Sequence, residues 1–430
     1  MRVRSLGALR PPRGARRCGP SPASSAPAPA GPEDGAGGIP APAGNVAVGA
    51  FAVYVAFGTS FQVLPPFLDE VARRWALSHY LAGLAMPAFL VPALVAAVPA
   101  GILVDRHGAI PLVRLGFGAL LAGGAMVAGA PTFPLFLLGR VLEGLGGGVA
   151  VVAALRVVAT ATPRSRLGTA MGVFVAGLPV GTGIAFDILG PLAHYTRWRS
   201  AVTGSELIVL ASFAAVTSVL RDAPPGKREG DREERGRPEG AGFLRLLLLV
   251  LLGYAVIVGF TTWAPTKIAE YGRLRPGDAV LIASLLLVID IPLSPLWGVV
   301  VDRVGRYRPF IAAAFLVYGT GAVALPAVAS PGIVSLVGLL LLVAAMGVGC
   351  SMFFPATLAS LPSLVTRDKV GSGYGALVAA QVAGMALGPP VFGAVFDRGG
   401  AAGGFWTMGA VAVVVAVVAV WPVRTGPTVV

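Results

Sequence analysis

Apolar runs about as long as a bilayer crossing alternate along this chain with short polar turns. A transmembrane helix needs about 20 predominantly apolar residues. Twelve runs meet that need, at about 46–67, 80–104, 110–130, 134–157, 167–191, 201–220, 244–264, 278–301, 309–329, 332–355, 372–396 and 402–422. The pattern predicts helices, because the bilayer core offers no partner for a free backbone group. One long polar stretch, RDAPPGKREGDREERGRPEGAGF at 221–243, divides the runs six and six. Its mixed charges, Pro and Gly predict a solvated linker.

The predicted fold class is all-α integral membrane, with twelve transmembrane helices in two six-helix bundles, 46–220 and 244–422. Residues 423–430 form a short tail. Residues 1–45 are different in kind. Arg2, Arg4, Arg10, Arg13, Arg16 and Arg17 precede a Pro/Ala/Gly/Ser tract with no apolar core of signal-peptide length. The segment reads as a disordered basic tail, or as a stretch upstream of the translated start.

Composition agrees with membrane burial. Only 12% of the 430 residues are charged and 56% are hydrophobic, against about 25% charged in soluble domains. The 59 glycines suit closely packed membrane helices. A formal charge of +13 would suit a nucleic-acid binder if it were clustered. Here it is spread through the loops, so no nucleic-acid partner is expected. Lys and Arg on one side of the runs outnumber those on the other by about three to one. That bias places both termini in the cytoplasm of a multi-pass plasma-membrane protein.

Enzyme signals are weak. Cys18 and Cys350 have no metal or disulfide spacing. His79, His107 and His194 fall in predicted loops without a nucleophile beside them. The Gly clusters do not lie between a strand and a helix, as a phosphate-binding loop would. The expectation is therefore no catalysis, no metal and no cofactor, with a proton gradient as energy source.

One phrase occurs twice. Gly101-Ile102-Leu103-Val104-Asp105-Arg106-His107-Gly108 returns as Gly298-Val299-Val300-Val301-Asp302-Arg303-Val304-Gly305, 197 positions on from Asp105 to Asp302. Each copy closes an apolar run and opens a basic turn, the second continuing to Arg306 and Arg308. Gly177 and Gly181 are echoed by Gly384 and Gly388, and Trp198 by Trp406. Matching halves are the mark of a secondary transporter built by duplication.

These residues resemble the major facilitator superfamily, over about 46–422. The two signature phrases resemble the family's loop between the second and third helices of each half. GRVLEGLGGG at 139–148 resembles its Arg-containing fourth-helix motif, and GLPVGTG at 177–183 partly resembles the Gly/Pro motif of its antiporter branch. Three departures stand out. Ala109-Ile110-Pro111 replaces the usual basic residues, Glu143 stands where Gln is common, and the span around Pro179 lacks the full Gly-Pro spacing. The resemblance implies alternating access by two rocking bundles, a small-molecule substrate at the midplane and a monomer.

Several residues follow as candidates. Asp105 and Asp302, beside Arg106 and Arg303, are suited to pair with an Arg or a helix N-terminus of the opposite half. The resemblance makes this a latch, with Gly101, Gly108, Gly298 and Gly305 permitting close packing and tight turns and Arg306 completing the loop. Arg140 and Glu143, at i, i+3 spacing, form an expected intramembrane pair. In the functional reading Arg140 attracts an anion and Glu143 takes a proton; in the plainer one the pair only fixes packing. Asp290, with no basic residue within a turn, is a second candidate proton carrier, or a carboxylate bonded to backbone freed by Pro292 and Pro295. Asp187 and Glu206 read as loop-facing charges near the outer surface. Tyr54, Phe57, Phe61, Gln62, Trp263, Phe353, Phe354 and Gln381 are candidate cavity residues, though each alone also suits ordinary packing. Gly144, Gly148, Gly177, Pro179, Gly181, Gly384 and Gly388 are expected at helix contacts. The leading expectation is a proton-coupled carrier of a small organic solute, an anion or metabolite. The alternatives are a multidrug-type proton antiporter and a non-transporting membrane sensor.

Overall fold

Helices account for the apolar runs. The computed structural model describes residues 43–191, 198–219, 240–330 and 336–420. The basic tail up to residue 42, most of the linker (220–239), the tail 423–430 and His194 lie outside the described residues. The first half holds α1 Ala43–Gln62, α2 Pro87–His107, α3 Ala109–Gly129, α4 Phe133–Ala161, α5 Leu167–Gly183 and α6 Trp198–Val219. The second holds α7 Ala241–Gly272, α8 Pro276–Val304, α9 Arg308–Val328, α10 Leu336–Ser360 and the stretch Val370–Val420. All of them belong to one compact unit, Gly38–Val430.

Eleven helical stretches are long and apolar enough to cross a membrane, and the last, Arg367–Val420, has 54 residues. A straight helix of that length would measure about 80 Å, against a hydrocarbon core of about 30 Å. The stretch breaks at Gly400, whose φ of 62° and ψ of −173° leave the helical region. The break makes two crossings of one stretch, α11 before Gly400 and α12 after it, in line with the twelve expected.

Two expected boundaries move. The first run, expected to reach 67, ends as a regular helix at Gln62. Pro65 and Pro66 lack the N–H groups that would continue it. The chain then turns through short helices Leu68–Arg74 and His79–Gly83 before α2. His107 is the last residue of α2 rather than a loop residue.

Each half repeats one packing scheme. Gly177 and Gly181 of α5 lie against the backbone of α1 at Phe51 and Val55. Gly384 and Gly388 of α11 lie against α7 at Leu251 and Ala255 in the same way. Gly144 and Gly148 seat α4 on α2 at Phe89 and Ala93. Where helices approach this closely, a methyl group would strike backbone. The halves meet along α2 with α11 and α5 with α8. Gly108 (φ 85°) and Gly305 (φ 67°) end α2 and α8 in the left-handed region, which glycine enters at little cost.

The aromatic echo has diverged. Trp198 is buried, 6.0 Å from the Trp75 ring and 5.8 Å from Phe136. Trp406 is 55% exposed.

Candidate functional site

The signature carboxylates cap helices of the opposite half. The first turn of a helix leaves backbone N–H groups without intrahelical partners, and the helix dipole favours an anion there. Asp302 at the end of α8 accepts from Gly168 N (2.6 Å), Thr169 N (2.8 Å) and Thr169 Oγ1 (2.7 Å) at the start of α5. Asp105 at the end of α2 accepts from Gly371 N, Ser372 N and Ser372 Oγ, each at 2.7 Å, at the start of α11. The two arrangements match bond for bond. Asp105 has one partner more, Nε of Arg156 at 3.2 Å. Beside each carboxylate the backbones almost touch. A Cβ on Gly298 would run into the carbonyl of Gly168, and one on Gly101 into that of Gly371. On the face carrying both signature loops the halves are therefore joined by two carboxylate caps. Arg106, Arg303 and Arg306 stand exposed on that face.

Arg140 is enclosed, with 0% exposure. Its Nη1 donates to Glu143 Oε2 (2.7 Å) and to the Ser60 carbonyl (2.8 Å). Nη2 donates to the Phe61 carbonyl (3.3 Å), and Nε to that of Ala85 (3.2 Å). These carbonyls are available for a local reason. Ser60 and Phe61 lie in the last turn of α1, and Pro65 has no N–H to offer Phe61. Ala85 lies just ahead of α2. The guanidinium also rests over the Phe89 ring at 4.7 Å, a cation–π contact. Arg140 thus ties the ends of α1 and α2 to α4, and these bonds all go to the chain itself.

Between the halves lies a second polar group. Tyr54 of α1 receives a hydrogen bond from Gln381 Nε2 of α11 at 2.6 Å. It stacks on Phe174 at 4.5 Å, nearly parallel. Tyr254, the counterpart of Tyr54 on α7, reaches the same hydroxyl. Asp290 of α8, 3% exposed, lies within electrostatic range of both tyrosines and of Cys350. Its partner is not backbone freed by Pro292 and Pro295 but Ser294 Oγ one turn along, which donates to it at 2.6 Å. Among the described residues Asp290 has no ion pair.

The remaining candidates divide. Phe57 and Phe61 pack on Phe89 at 5.3 and 5.5 Å, adjoining the Arg140 site. Phe354 lies 5.1 Å from the Tyr254 ring, while Phe353 is enclosed between Tyr254 and Phe315. Trp263 donates through Nε1 to the Pro389 carbonyl at 2.7 Å, fastening α7 to α11. Gln62 is half-buried at the end of α1, and Pro179 is buried within α5. Asp187 is exposed, within the helical turn Ile184–Leu189 rather than in a loop. Glu206 corrects the reading of a loop-facing charge: both its carboxylate oxygens are buried.

Four functional residues escaped the sequence reading: Arg156, Thr169, Ser372 and Tyr254. A signal existed for three of them. Leu167-Gly168-Thr169 is echoed by Val370-Gly371-Ser372, 203 positions on, and Tyr254 follows Tyr54 by 200, both close to the 197 of the signature phrases.

Known proteins share this design. The profile of the Major Facilitator Superfamily matches residues 47–289 and 269–429. Multidrug resistance protein MdtL of Escherichia fergusonii is 26% identical over 236 residues, 53% of this chain and 56% of MdtL. MdtL of Shigella dysenteriae gives the same figures. The match thus spans about half the length of these curated relatives. The human organic anion transporter MFSD10 superposes with a TM-score of 0.70 at 16% identity, covering 88% of this chain and 99% of that one. The proton:xylose symporter XylE gives 0.68 at 16% identity, covering 87% and 94%. FucP, solved in the outward conformation, gives 0.68 at 17% identity, covering 88% and 97%. Those structural likenesses speak to the fold alone, whereas the profile spans nearly all the described helices. A multi-pass membrane chain with two matched halves, latched through a duplicated loop, therefore belongs to the Major Facilitator Superfamily, a family of transporters rather than enzymes.

Proposed function

We propose that this protein is a proton-driven exporter of lipophilic organic cations. The observation that carries the reading is the polar group between the halves. It sets two aromatic residues, Tyr54 and Tyr254, with Phe354 beside Tyr254, within electrostatic range of a carboxylate, Asp290, that has no cation of its own among the described residues. Aromatic faces attract cations, and a buried carboxylate lacking a counter-charge is neutralised by a proton or by a bound cation. Exchange of one for the other at Asp290 is the simplest antiport cycle such a site supports. The likeness to a multidrug resistance protein over half the chain supports the same reading. The anion-carrier expectation relied on Arg140 as anchor. Its bonds to Glu143 and three backbone carbonyls weigh against that role.

Orientation follows from the Lys/Arg bias. The signature face is cytoplasmic in this proposal, so the latched conformation is closed to the cytoplasm. Glu143 is a second proton carrier. The test is thermal unfolding of the purified protein in detergent with tetraphenylphosphonium or benzoate, at acidic and neutral pH. A ligand at 100 times its Kd stabilises the folded state by about 2.7 kcal/mol. Tetraphenylphosphonium raises Tm at neutral pH, less so at acidic pH, and not at all in Asp290→Asn. Stabilisation by benzoate alone would sink the export reading.

A further inference from the structure

We propose that Glu143 and Glu206 form a buried proton-binding site in the first half, holding one proton between two carboxyl groups beside Arg140. The proposal deepens the export reading and rests on it only for the use made of the proton. Three observations meet here.

The first is an account of oxygens. Glu143 Oε2 bonds to Arg140, but among the described residues Glu143 Oε1 has no hydrogen-bond partner, although the residue is fully buried. Both oxygens of Glu206 are buried and without a partner as well. Buried polar atoms are almost always paired, so unpaired ones need an explanation. A proton shared between the two carboxyl groups beside the guanidinium pairs two of these three orphan oxygens. A carboxylic acid donates one hydrogen bond that two carboxylates cannot supply to each other.

The second is charge. Glu206 lies within electrostatic range of both Glu143 and Arg140. With both carboxyl groups ionised the cluster would carry a net negative charge inside the membrane, a costly state. One added proton makes it neutral. Among the described residues, the other charges around α6 are committed or distant. Tyr54 is the titratable residue of α1 and is bonded to Gln381. Arg114 of α3 sits toward the signature face, Asp187 is exposed beside Gly183, and Arg156 of α4 pairs with Asp105. Arg199 of α6 donates to the carbonyls of Ala128 and Ala130, and Arg73 and Arg74 are exposed.

The third is space. A Cβ on Gly124 would land on the Glu206 carboxylate, and a Cβ on Gly123 would come 2.8 Å from Glu143 Cγ. Successive glycines of α3 thus clear room for the two carboxyl groups, one from α4 and one from α6. Glu206 lies eight positions along α6 from Trp198, about 12 Å at 1.5 Å per residue. That places the site on the far side of the membrane from the latches.

Infrared difference spectroscopy of the purified full chain, between neutral and alkaline pH, tests the site. A protonated carboxyl group gives a carbonyl band that ionisation removes. Charge neutrality makes an unusual demand on the variants. Removing either carboxyl group leaves one carboxylate for Arg140 and no need of a proton. In an Asp290→Asn background, which removes that carboxyl group's own band, Glu206→Gln and Glu143→Gln should therefore each abolish the whole remaining band rather than half of it. Gly124→Ala, which places a methyl group on the Glu206 carboxylate, should remove the band or move its pH midpoint, and covers a Gln variant that fails to fold. A full band in Glu206→Gln, two additive half-losses, or an unmoved midpoint in Gly124→Ala would overturn the proposal. So would displacement of the band by sodium chloride at fixed pH, the mark of a metal-cation site. The two readings fail separately. A missing band in the Asp290→Asn background, with tetraphenylphosphonium binding intact in the parent chain, removes the proton site alone, and absent cation binding in the parent chain with that band intact removes the export reading alone.

Discussion

Replacing Asp302 with Ala tests whether the latches set the resting conformation. The substitution deletes three hydrogen bonds, at 2.6, 2.8 and 2.7 Å, from a carboxylate to the start of α5. Hydrogen bonds to a charged group contribute about 1.5–3 kcal/mol each. The three share one carboxylate, and water takes over part of their role when the face opens. A net loss of about 3 kcal/mol is a reasonable total, and it shifts the closed–open equilibrium by roughly 100-fold. Spin labels at Thr160 and Leu244, both exposed near the signature face, would report the separation of the halves in a chain with Cys18 and Cys350 replaced. The parent chain should show one short distance and Asp302→Ala a second, longer one. Asp105→Ala should act likewise, with a further cost from leaving Arg156 unpaired. An unchanged distance distribution in the double variant would refute the reasoning.

Two further outcomes follow from packing. Gly298→Ala places a methyl group into the Gly168 carbonyl, and overpacking of this kind costs about 1–3 kcal/mol; the same spin labels should move apart with both carboxylates intact. Trp263→Phe removes the 2.7 Å bond to the Pro389 carbonyl, so Tm should fall by an amount corresponding to about 1 kcal/mol, read by thermal unfolding in detergent.

The fold was legible wherever one property repeats along the chain. Twelve apolar runs and the phrases around Asp105 and Asp302 carry the architecture, because hydrophobic length and duplication are both visible in one dimension. The glycine contacts of Gly177 and Gly384 were legible for the same reason. What stayed hidden depends on which side of a helix faces which neighbour. Glu206 lies in a run of mixed small and apolar residues, and nothing in its surroundings along the chain reveals that Gly124, on another helix, makes room for it. Arg140 reads as an anion anchor until the carbonyls of Ser60, Phe61 and Ala85 are brought around it. Arg156 looked like one more topology-setting charge, since its partner Asp105 is 51 positions away.

The latches have a kinetic consequence of their own. Each half contributes one carboxylate and one helix start, so the clasp is bivalent. If the Asp302 clasp breaks first, the Asp105 clasp still holds the parted groups at a high effective concentration, and the broken one re-forms before the halves separate. In the proposed transport cycle, opening then requires both clasps to be broken within one re-formation time, which would make the transition abrupt and protect the pathway from leaking between turnovers.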